Sequence, residues 1–280
     1  MTGLAFTKMH GLGNDFVVID LRSPDADAPA LSGAAAIAIA DRHTGVGCDQ
    51  LITIEAAPDG TADAFMRIRN ADGGEVSACG NATRCVGALL MAESGADAAR
   101  IRTAADLLTV TAADGGLVTV DMGEPKFDWD EIPLAGAQDT LHLALSLGPL
   151  RDPAAASMGN PHATFFVDDA EGIPLSVLGP DLENNALFPE RANIGVAQMR
   201  GPDDMRFRVW ERGAGITLAC GTGACAAVAN AHRRGLSSRR VTVEMDGGEL
   251  TVDWREDGRI YMTGPAVTSF TGEIAAEMLA

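Results

Sequence analysis

The stretch Ala78-Cys79-Gly80-Asn81 occurs a second time, with one residue changed, as Ala219-Cys220-Gly221-Thr222. Each copy opens a segment of small apolar residues, 81–92 in the first case and 223–234 in the second. A helix that is apolar on nearly all sides is enclosed by other structure. The sequence therefore predicts two buried helices, each of which begins directly after a cysteine.

A constant offset relates the two copies, and it aligns the segments before them as well. Cys220 follows Cys79 by 141 residues, and the same shift places residues 66–70 on residues 207–211. With small changes of register, Gly13-Asn14 matches Gly159-Asn160 and Gln50 matches Asn193. Several matched segments in one order indicate an internal duplication.

Strand patterns surround both helices. Residues 64–70 alternate between apolar and charged side chains, which is typical of a strand with one face on a core. We expect strands at 4–9, 16–20, 50–55, 64–70, 107–111 and 117–121, a helix at 32–42 and a final helix at 273–279. The last helix would return the chain to the first domain.

These patterns predict an α+β fold of two similar domains. Each domain would be a mostly antiparallel sheet or barrel wrapped around a central helix, with the active site in the interdomain cleft. We assign residues 1–124 plus 266–280 to the N-terminal domain, which carries Cys79, and residues 125–265 to the C-terminal domain, which carries Cys220.

Composition and charge argue against several classes of function. A formal net charge of −18 repels phosphate backbones and anionic membranes, so neither nucleic acid nor a membrane is an expected partner. No secretion signal precedes the first strand, and we expect a soluble cytoplasmic protein. The 5 cysteines form no C-x-x-C pair and the 5 histidines are scattered, so no metal site is expected. No nucleotide-binding glycine motif is present, and we expect no cofactor.

A cysteine at the start of a buried helix has a chemical use. Free backbone N–H groups and the helix dipole should lower its pKa towards neutrality, so that it can exchange protons at physiological pH. Gly80 and Gly221, which have no Cβ, let a carboxylate approach those N–H groups. Two such thiols on either side of one substrate suit racemisation or epimerisation, in which one removes a proton and the other returns one to the opposite face.

Polar residues repeat around the cysteines in a pattern that fits an amino-acid ligand. They offer amide donors and acceptors, one carboxylate and one guanidinium fork. The candidates are Asn14, Gln50, Asn70, Asn160, Asn193, Glu211 and Arg212.

The chain resembles the diaminopimelate epimerase family from end to end. The motifs that carry the resemblance, in chain order, are His10-Gly11-Leu12-Gly13-Asn14-Asp15-Phe16, Gly47-Cys48-Asp49-Gln50, Asn70-Ala71-Asp72-Gly73, Cys79-Gly80-Asn81, Gly159-Asn160-Pro161-His162, Glu211-Arg212-Gly213 and Cys220-Gly221-Thr222-Gly223. The resemblance implies a cofactor- and metal-independent conversion of LL-diaminopimelate to the meso isomer, for lysine and peptidoglycan biosynthesis, by a homodimer.

The resemblance also implies a role for each candidate residue. Cys79 and Cys220 would be the acid/base pair, and His162 and Glu211 would tune the thiols. The remaining residues would bind substrate. Asn14 and Gln50 would lie near the reacting carbon, and the residues at the helix starts would be Gly80, Asn81, Gly221 and Thr222. The distal amino-acid end would be held by Asn70, Asn160, Asn193 and Arg212, and Glu211 would also receive the substrate ammonium group. Gly74, Ala82-Thr83 and Ile216 depart from the family pattern without removing any of these groups.

Two other functions remain open at this point. One is a proline or hydroxyproline racemase-like enzyme, which would also use two thiols. Its small cyclic substrate, however, has no distal amino-acid end for the repeated amides to bind. The other is a thiol redox sensor that forms a disulfide between Cys79 and Cys220. Three further cysteines, Cys48, Cys85 and Cys225, are interpreted as small buried residues.

Overall fold

The structure is a computed structural model that describes residues 3–22, 31–58 and 60–279. The chain divides into two compact units. Unit 1 comprises Met1–Val120 and Gly264–Ala280, and unit 2 comprises Asp121–Thr263. In the described part of the chain, no helix has the length and apolarity to cross a membrane.

The first part of the chain builds eight strands and two helices of unit 1. They are β1 (Leu4–Gly11), β2 (Asn14–Asp20), α1 (Gly33–Ala40), β3 (Gln50–Glu55), β4 (Ala64–Asn70), β5 (Glu75–Val76), α2 (Gly80–Ser94), β6 (Ala98–Arg102), β7 (Leu107–Ala113) and β8 (Leu117–Asp121). The hydroxyl of Ser32 accepts a hydrogen bond from Ala35 N at 3.1 Å and so caps α1, as the sequence predicts.

The middle of the chain builds unit 2, and the last strand returns to unit 1. The elements are β9 (Ser146–Leu147), β10 (Leu150–Arg151), β11 (Ala154–Ser157), β12 (Pro161–Phe166), α3 (Leu175–Glu183), β13 (Asn193–Gly201), β14 (Asp204–Glu211), β15 (Gly215–Ile216), α4 (Gly221–Arg233), β16 (Arg240–Met245), β17 (Gly248–Trp254), β18 (Ile260–Gly264) and β19 (Val267–Ile274).

The two units share one strand topology. In unit 1, β1 pairs antiparallel with β2, β2 parallel with β3, β3 antiparallel with β4, and β4 parallel with β6. In unit 2, β11 to β14 and β16 repeat those four pairings in the same order and the same directions. The pairs β1–β19, β6–β7, β7–β8, β16–β17 and β17–β18 are antiparallel as well, so the predicted duplication and the mostly antiparallel α+β fold are confirmed.

The two central helices are buried as predicted. Cys85 in α2 and Cys225 in α4 are fully buried, so both serve as small core residues. Small residues also let the strands approach the helices closely: a Cβ on Gly87 would lie 2.4 Å from the side chain of Val110 on β7. Any larger residue at this position would push β7 away from α2.

The predicted C-terminal helix, 273–279, forms only in part. Its first two residues, Glu273 and Ile274, are the end of β19, which pairs antiparallel with β1 from Leu4 opposite Ile274 to His10 opposite Val267. Ala276–Leu279 forms a 3-10 helix in place of the predicted α-helix. The start of the predicted helix is lost because its backbone pairs with a strand at the other end of the chain, and this pairing overrides local propensity.

Candidate active site

Each candidate thiol belongs to the residue that caps its central helix. Cys79 and Cys220 have extended backbone conformations, and α2 and α4 begin one residue later, at Gly80 and Gly221. The carbonyl of Cys79 accepts from Thr83 N at 2.9 Å, and that of Cys220 accepts from Ala224 N at 3.0 Å. Because the first N–H groups of a helix have no partner within it, both sulfurs lie next to a natural anion site.

In unit 1, the side-chain amide of Asn14 lies next to the Cys79 thiol. The thiol lies 3.8 Å from Asn14 Oδ1, which also accepts from Asn81 Nδ2 at 3.2 Å. On its other side, Asn14 Nδ2 donates to Asp49 Oδ2 at 2.9 Å. Because a carboxylate only accepts hydrogen bonds, Asp49 fixes the Asn14 amide with its oxygen towards the thiol. Asp49 belongs to the Gly47-Cys48-Asp49-Gln50 motif, but no role was predicted for it from the sequence.

A second amide pair of unit 1 lies at the strand ends. Gln50 and Asn70 face each other across β3 and β4, and Gln50 Nε2 donates to Asn70 Oδ1 at 2.9 Å. The other amide atom, Gln50 Oε1, is buried and has no hydrogen-bond partner among the described residues. A buried acceptor without a partner is costly unless a ligand satisfies it, so this atom is a candidate substrate contact.

In unit 2, the Cys220 thiol lies next to a carboxylate. Burial, followed by the negative charge of Glu211 and its hydrogen bond to the thiol, raises the pKa of Cys220 well above the ordinary value. The hydroxyl of Thr222, 3.6 Å from the sulfur, and the N–H of Gly223 act in the opposite direction but do not prevail. The sequence-based prediction that the helix start lowers this pKa is therefore wrong, because burial and Glu211 outweigh the helix dipole.

Two residues around Cys220 were missed by sequence reasoning. The hydroxyl of Thr217 donates to Glu211 Oε1 in a short hydrogen bond and so holds the carboxylate beside the thiol. A Cβ on Gly223 would lie 3.2 Å from the sulfur, so glycine leaves room for it. The Cys-Gly-Thr-Gly motif contains Gly223, but no periodicity in the sequence indicates Thr217.

His162 is buried and linked to Cys220 through Thr222. Its Nε2 lies 2.9 Å from Asn160 Oδ1 and 3.1 Å from Thr222 Oγ1, and Asn160 Nδ2 donates to the same hydroxyl at 3.3 Å. Burial and the positive charge of Arg212 lower the pKa of His162 to about 3. The ring is therefore neutral at pH 7, and it acts on the thiol through a hydrogen-bonded hydroxyl and not through a positive charge.

Both polar atoms of the Asn193 side-chain amide form hydrogen bonds with backbone groups. Its Nδ2 donates to Pro161 O at 2.9 Å, and its Oδ1 accepts from Arg212 N at 2.9 Å. Arg212 Nη1 in turn donates to Glu190 O at 2.9 Å. Asn193 thus fixes the backbone of the turn that begins with Glu211 and Arg212.

The predicted site residues fall into two groups, one in each unit. In unit 1 they are Asn14, Gln50, Asn70, Cys79, Gly80 and Asn81, and in unit 2 they are Asn160, His162, Asn193, Glu211, Arg212, Cys220, Gly221 and Thr222. Within the described ranges, no cluster of three or more His, Cys, Asp or Glu side chains could hold a metal ion.

The sequence is similar to one family of known proteins over most of its length. The profile of the family described as diaminopimelate epimerase matches residues 6–128 and 154–269. The diaminopimelate epimerase of Acidiphilium cryptum (strain JF-5) is 61% identical over 275 residues, which is 98% of each chain. That of Gluconobacter oxydans (strain 621H) is 57% identical over 272 residues, covering 97% of this chain and 99% of the relative.

A solved structure extends the likeness of the fold. The hydroxyproline epimerase from Agrobacterium vitis, with bound trans-4-hydroxy-L-proline, superposes with a TM-score of 0.69 and covers 99% of this chain and 94% of its own. The identity is only 16%, so this likeness concerns the fold and not the substrate.

Proposed function

Because the chain belongs to the diaminopimelate epimerase family, we propose that it interconverts LL- and meso-diaminopimelate with Cys79 and Cys220 as its two acid/base groups. The protein is an isomerase that acts on a small amino acid. The observation that carries the assignment of the bases is that both cysteines occupy the N-cap of the central helix at equivalent places of one repeated topology.

The reaction needs no external reagent. The thiolate of one cysteine removes the α-proton and becomes a thiol, and the electron pair left on the carbon spreads into the substrate carboxylate. The other thiol then forms the new C–H bond on the opposite face and is left as a thiolate. N–H groups at the starts of α2 and α4 are suited to hold the negative charge that develops on the carboxylate.

The state of Cys220 indicates its role at rest. Because burial and Glu211 raise its pKa, Cys220 begins as the thiol and donates the proton. Because a two-base reaction needs one base at the start, Cys79 is then the base in this direction, and it gives up the proton that it shares with Asn14 Oδ1 in the structure. In the opposite direction the roles exchange, as microscopic reversibility requires.

The polar groups of each unit suit the two ends of diaminopimelate. Gln50 Oε1 can accept from an ammonium group, since it is buried without a partner among the described residues. Arg212 offers a positive charge to the distal amino-acid end, together with Asn70 and Asn160, and Glu211, beside Cys220, can receive an ammonium group. Asn193 contributes by holding the Arg212 backbone. The two units would be the two domains, and the active form would be a cytoplasmic homodimer.

Hydrogen exchange tests the proposed function directly. In heavy water, reduced enzyme without pyridoxal phosphate or added metal should replace the α-hydrogen of diaminopimelate by deuterium while LL and meso isomers interconvert. Proton NMR follows the exchange, and chiral chromatography follows the isomers. Proline and hydroxyproline are the control substrates, and exchange of these but not of diaminopimelate would reverse the assignment in favour of a racemase-like enzyme.

A further inference from the structure

One buried carboxylate of unit 2 has no part in the proposed chemistry. Glu183, the last residue of α3, is 4% exposed. A negative charge at the C-terminus of a helix opposes the helix dipole, and a buried carboxylate needs several donors. An acidic residue is thus locally unfavourable at this position, and its contacts indicate what it does there.

Three donors converge on this carboxylate, one from the segment between α3 and β13, one from the end of β14 and one from the turn after β14. Glu183 Oε1 accepts from Arg191 Nη1 at 3.1 Å and from Gly213 N at 2.9 Å. Its Oε2 accepts from Trp210 Nε1 at 2.7 Å. Trp210 and Gly213 lie on either side of the Glu211-Arg212 pair, so the carboxylate holds both ends of the segment that carries the two charged site residues.

The backbone conformations show why the segment needs this support. Gly213 has a φ of 76°, which glycine adopts without strain. The N–H of this same residue donates the hydrogen bond to Glu183 Oε1. The main-chain carbonyl of Glu183 also accepts from Ala192 N at 3.3 Å. Glu183 therefore fixes the start of β13, which carries Asn193, together with the turn after β14.

The packing of α3 is arranged around the same contact. A Cβ on Gly179 would lie 2.4 Å from the indole of Trp210, so this glycine lets the helix lie directly on the ring. Gly179 and Glu183 are four residues apart and share one face of α3. One helix face thus fixes the indole twice, by contact and by hydrogen bond.

We propose that Glu183 is a positioning residue for the epimerase site, which holds Glu211 beside Cys220 and Arg212 towards the distal end of the substrate. This inference rests on the proposed function for the role of Arg212 and on geometry alone for the role of Glu211. Glu183 touches neither thiol and acts through the turn.

Glu183→Gln is the first test. A glutamine has one oxygen and one NH₂ group, so whichever way it turns, the NH₂ meets either the Trp210 indole or the Arg191 and Gly213 donors. We expect kcat/KM for diaminopimelate to fall about 10- to 100-fold, as for the loss of a hydrogen bond to a charged group. Asp246→Asn is the matched control, because it breaks an ion pair with the buried Arg206 in the same unit, and we expect it to leave activity unchanged.

A second variant separates positioning from general stability. Trp210→Phe removes the indole donor, so in the double variant the glutamine can turn its oxygen to Arg191 and Gly213. We expect Trp210→Phe alone to cost about two- to tenfold, and the double variant to be more active than Glu183→Gln. If the two losses multiplied instead, Glu183 would have only a structural role.

The alkylation of Cys220 gives a readout that does not depend on diaminopimelate. Glu211 raises the pKa of this thiol, so displacing the carboxylate should move the pH dependence of its reaction with iodoacetamide to lower pH. Site-resolved mass spectrometry separates Cys220 from the other cysteines. Folded Glu183→Gln with unchanged alkylation and activity would overturn the proposal.

Two further outcomes are decisive. If Glu183→Gln did not fold, Trp210→Phe would carry the test, and an unshifted Cys220 profile in that variant would refute the inference. If wild-type protein failed to exchange the α-hydrogen of diaminopimelate, the proposed function would fall, while the Cys220 profile would still report whether Glu183 positions Glu211.

Discussion

The two helix starts share their backbone but differ in the chemistry placed around the thiol. Phe16, Gln50 and Asn70 lie side by side on β2, β3 and β4 of unit 1. On the matching strands of unit 2, His162 pairs with Asn193, and Glu211 ends β14. An apolar ring and two amides in one copy thus correspond to an imidazole, an amide and a carboxylate in the other.

This difference places a charged group beside Cys220 and a neutral amide beside Cys79. Cys220 is buried next to the negative charge of Glu211, so it keeps its proton, whereas the Cys79 thiol lies next to Asn14 Oδ1. A two-base epimerase needs one acid and one base at the start of each turnover. The duplicated fold supplies equivalent positions, and the divergence of three side chains supplies the asymmetry.

The largest effect should follow from removing either thiol. Cys79→Ser and Cys220→Ser should each reduce epimerisation by about 10²- to 10⁴-fold, the range for loss of a general acid or base, because an alcohol does not exchange protons readily at pH 7. Chiral chromatography measures turnover. Cys225→Ser is the matched control, since it alters a buried cysteine of the same helix outside the site. Substantial turnover in both site variants would exclude a two-base mechanism.

The His162 position can be tested through stability. Folding holds the ring neutral, with a pKa of about 3, while the unfolded chain takes up a proton near pH 6.5. The stabilisation is therefore complete above pH 6.5 and is lost as the pH falls towards 3, by about 1.4 kcal/mol per pH unit or roughly 5 kcal/mol in all. His162→Phe, which copies Phe16, should remove this slope.

Urea unfolding between pH 6 and pH 4 measures the slope. Thr222→Val is the control, because it removes a hydrogen-bond partner of His162 but keeps the titrating ring. Equal slopes in wild type and His162→Phe would mean that the buried ring does not resist protonation.

Glu211 should have the next largest effect. Glu211→Gln removes the charge that raises the pKa of Cys220, so the pH dependence of alkylation of this thiol should shift to lower pH. Site-resolved mass spectrometry measures the shift. Asn70→Asp places a carboxylate at the matching strand end of unit 1 and should slow alkylation of Cys79 at a fixed pH. A shift at neither thiol would show that the strand-end residue does not set the asymmetry.

Local pattern and repetition predicted much of this frame. The bounds of β3 and β4 were predicted correctly, and so were the two buried helices that begin directly after Cys79 and Cys220. The family and the epimerase activity, expected from the motifs, are confirmed. Such features depend on residues close together in the chain, or on a repeat that the sequence displays.

Features that depend on distant contacts could not be predicted in this way. β19 was not predicted, and its last two residues were assigned to a helix, because its partner, β1, lies more than 250 residues earlier. The pKa of Cys220 was predicted to fall because the helix start is visible in the sequence, while the burial that dominates is not. Glu183 was not identified because its three partners lie 8 to 30 residues away, in one loop, one strand end and one turn.

The smallest effect should come from Asp49, and it tests whether amide orientation matters in unit 1. Asp49→Ala removes the acceptor for Asn14 Nδ2, so the Asn14 amide can turn and present its own NH₂ to Cys79. We expect kcat to fall about two- to tenfold, the range for one hydrogen bond. Cys79 should also be alkylated faster at a fixed pH, because an N–H donor stabilises a thiolate and an amide oxygen does not.

Arg42→Gln is the control, since it removes an ion pair to Asp49 but leaves the acceptor for Asn14 in place. If both variants changed kcat equally, the ion pair and not the amide orientation would matter. If only Asp49→Ala did so, the two thiols would be distinguished by hydrogen-bond direction in unit 1 and by charge in unit 2.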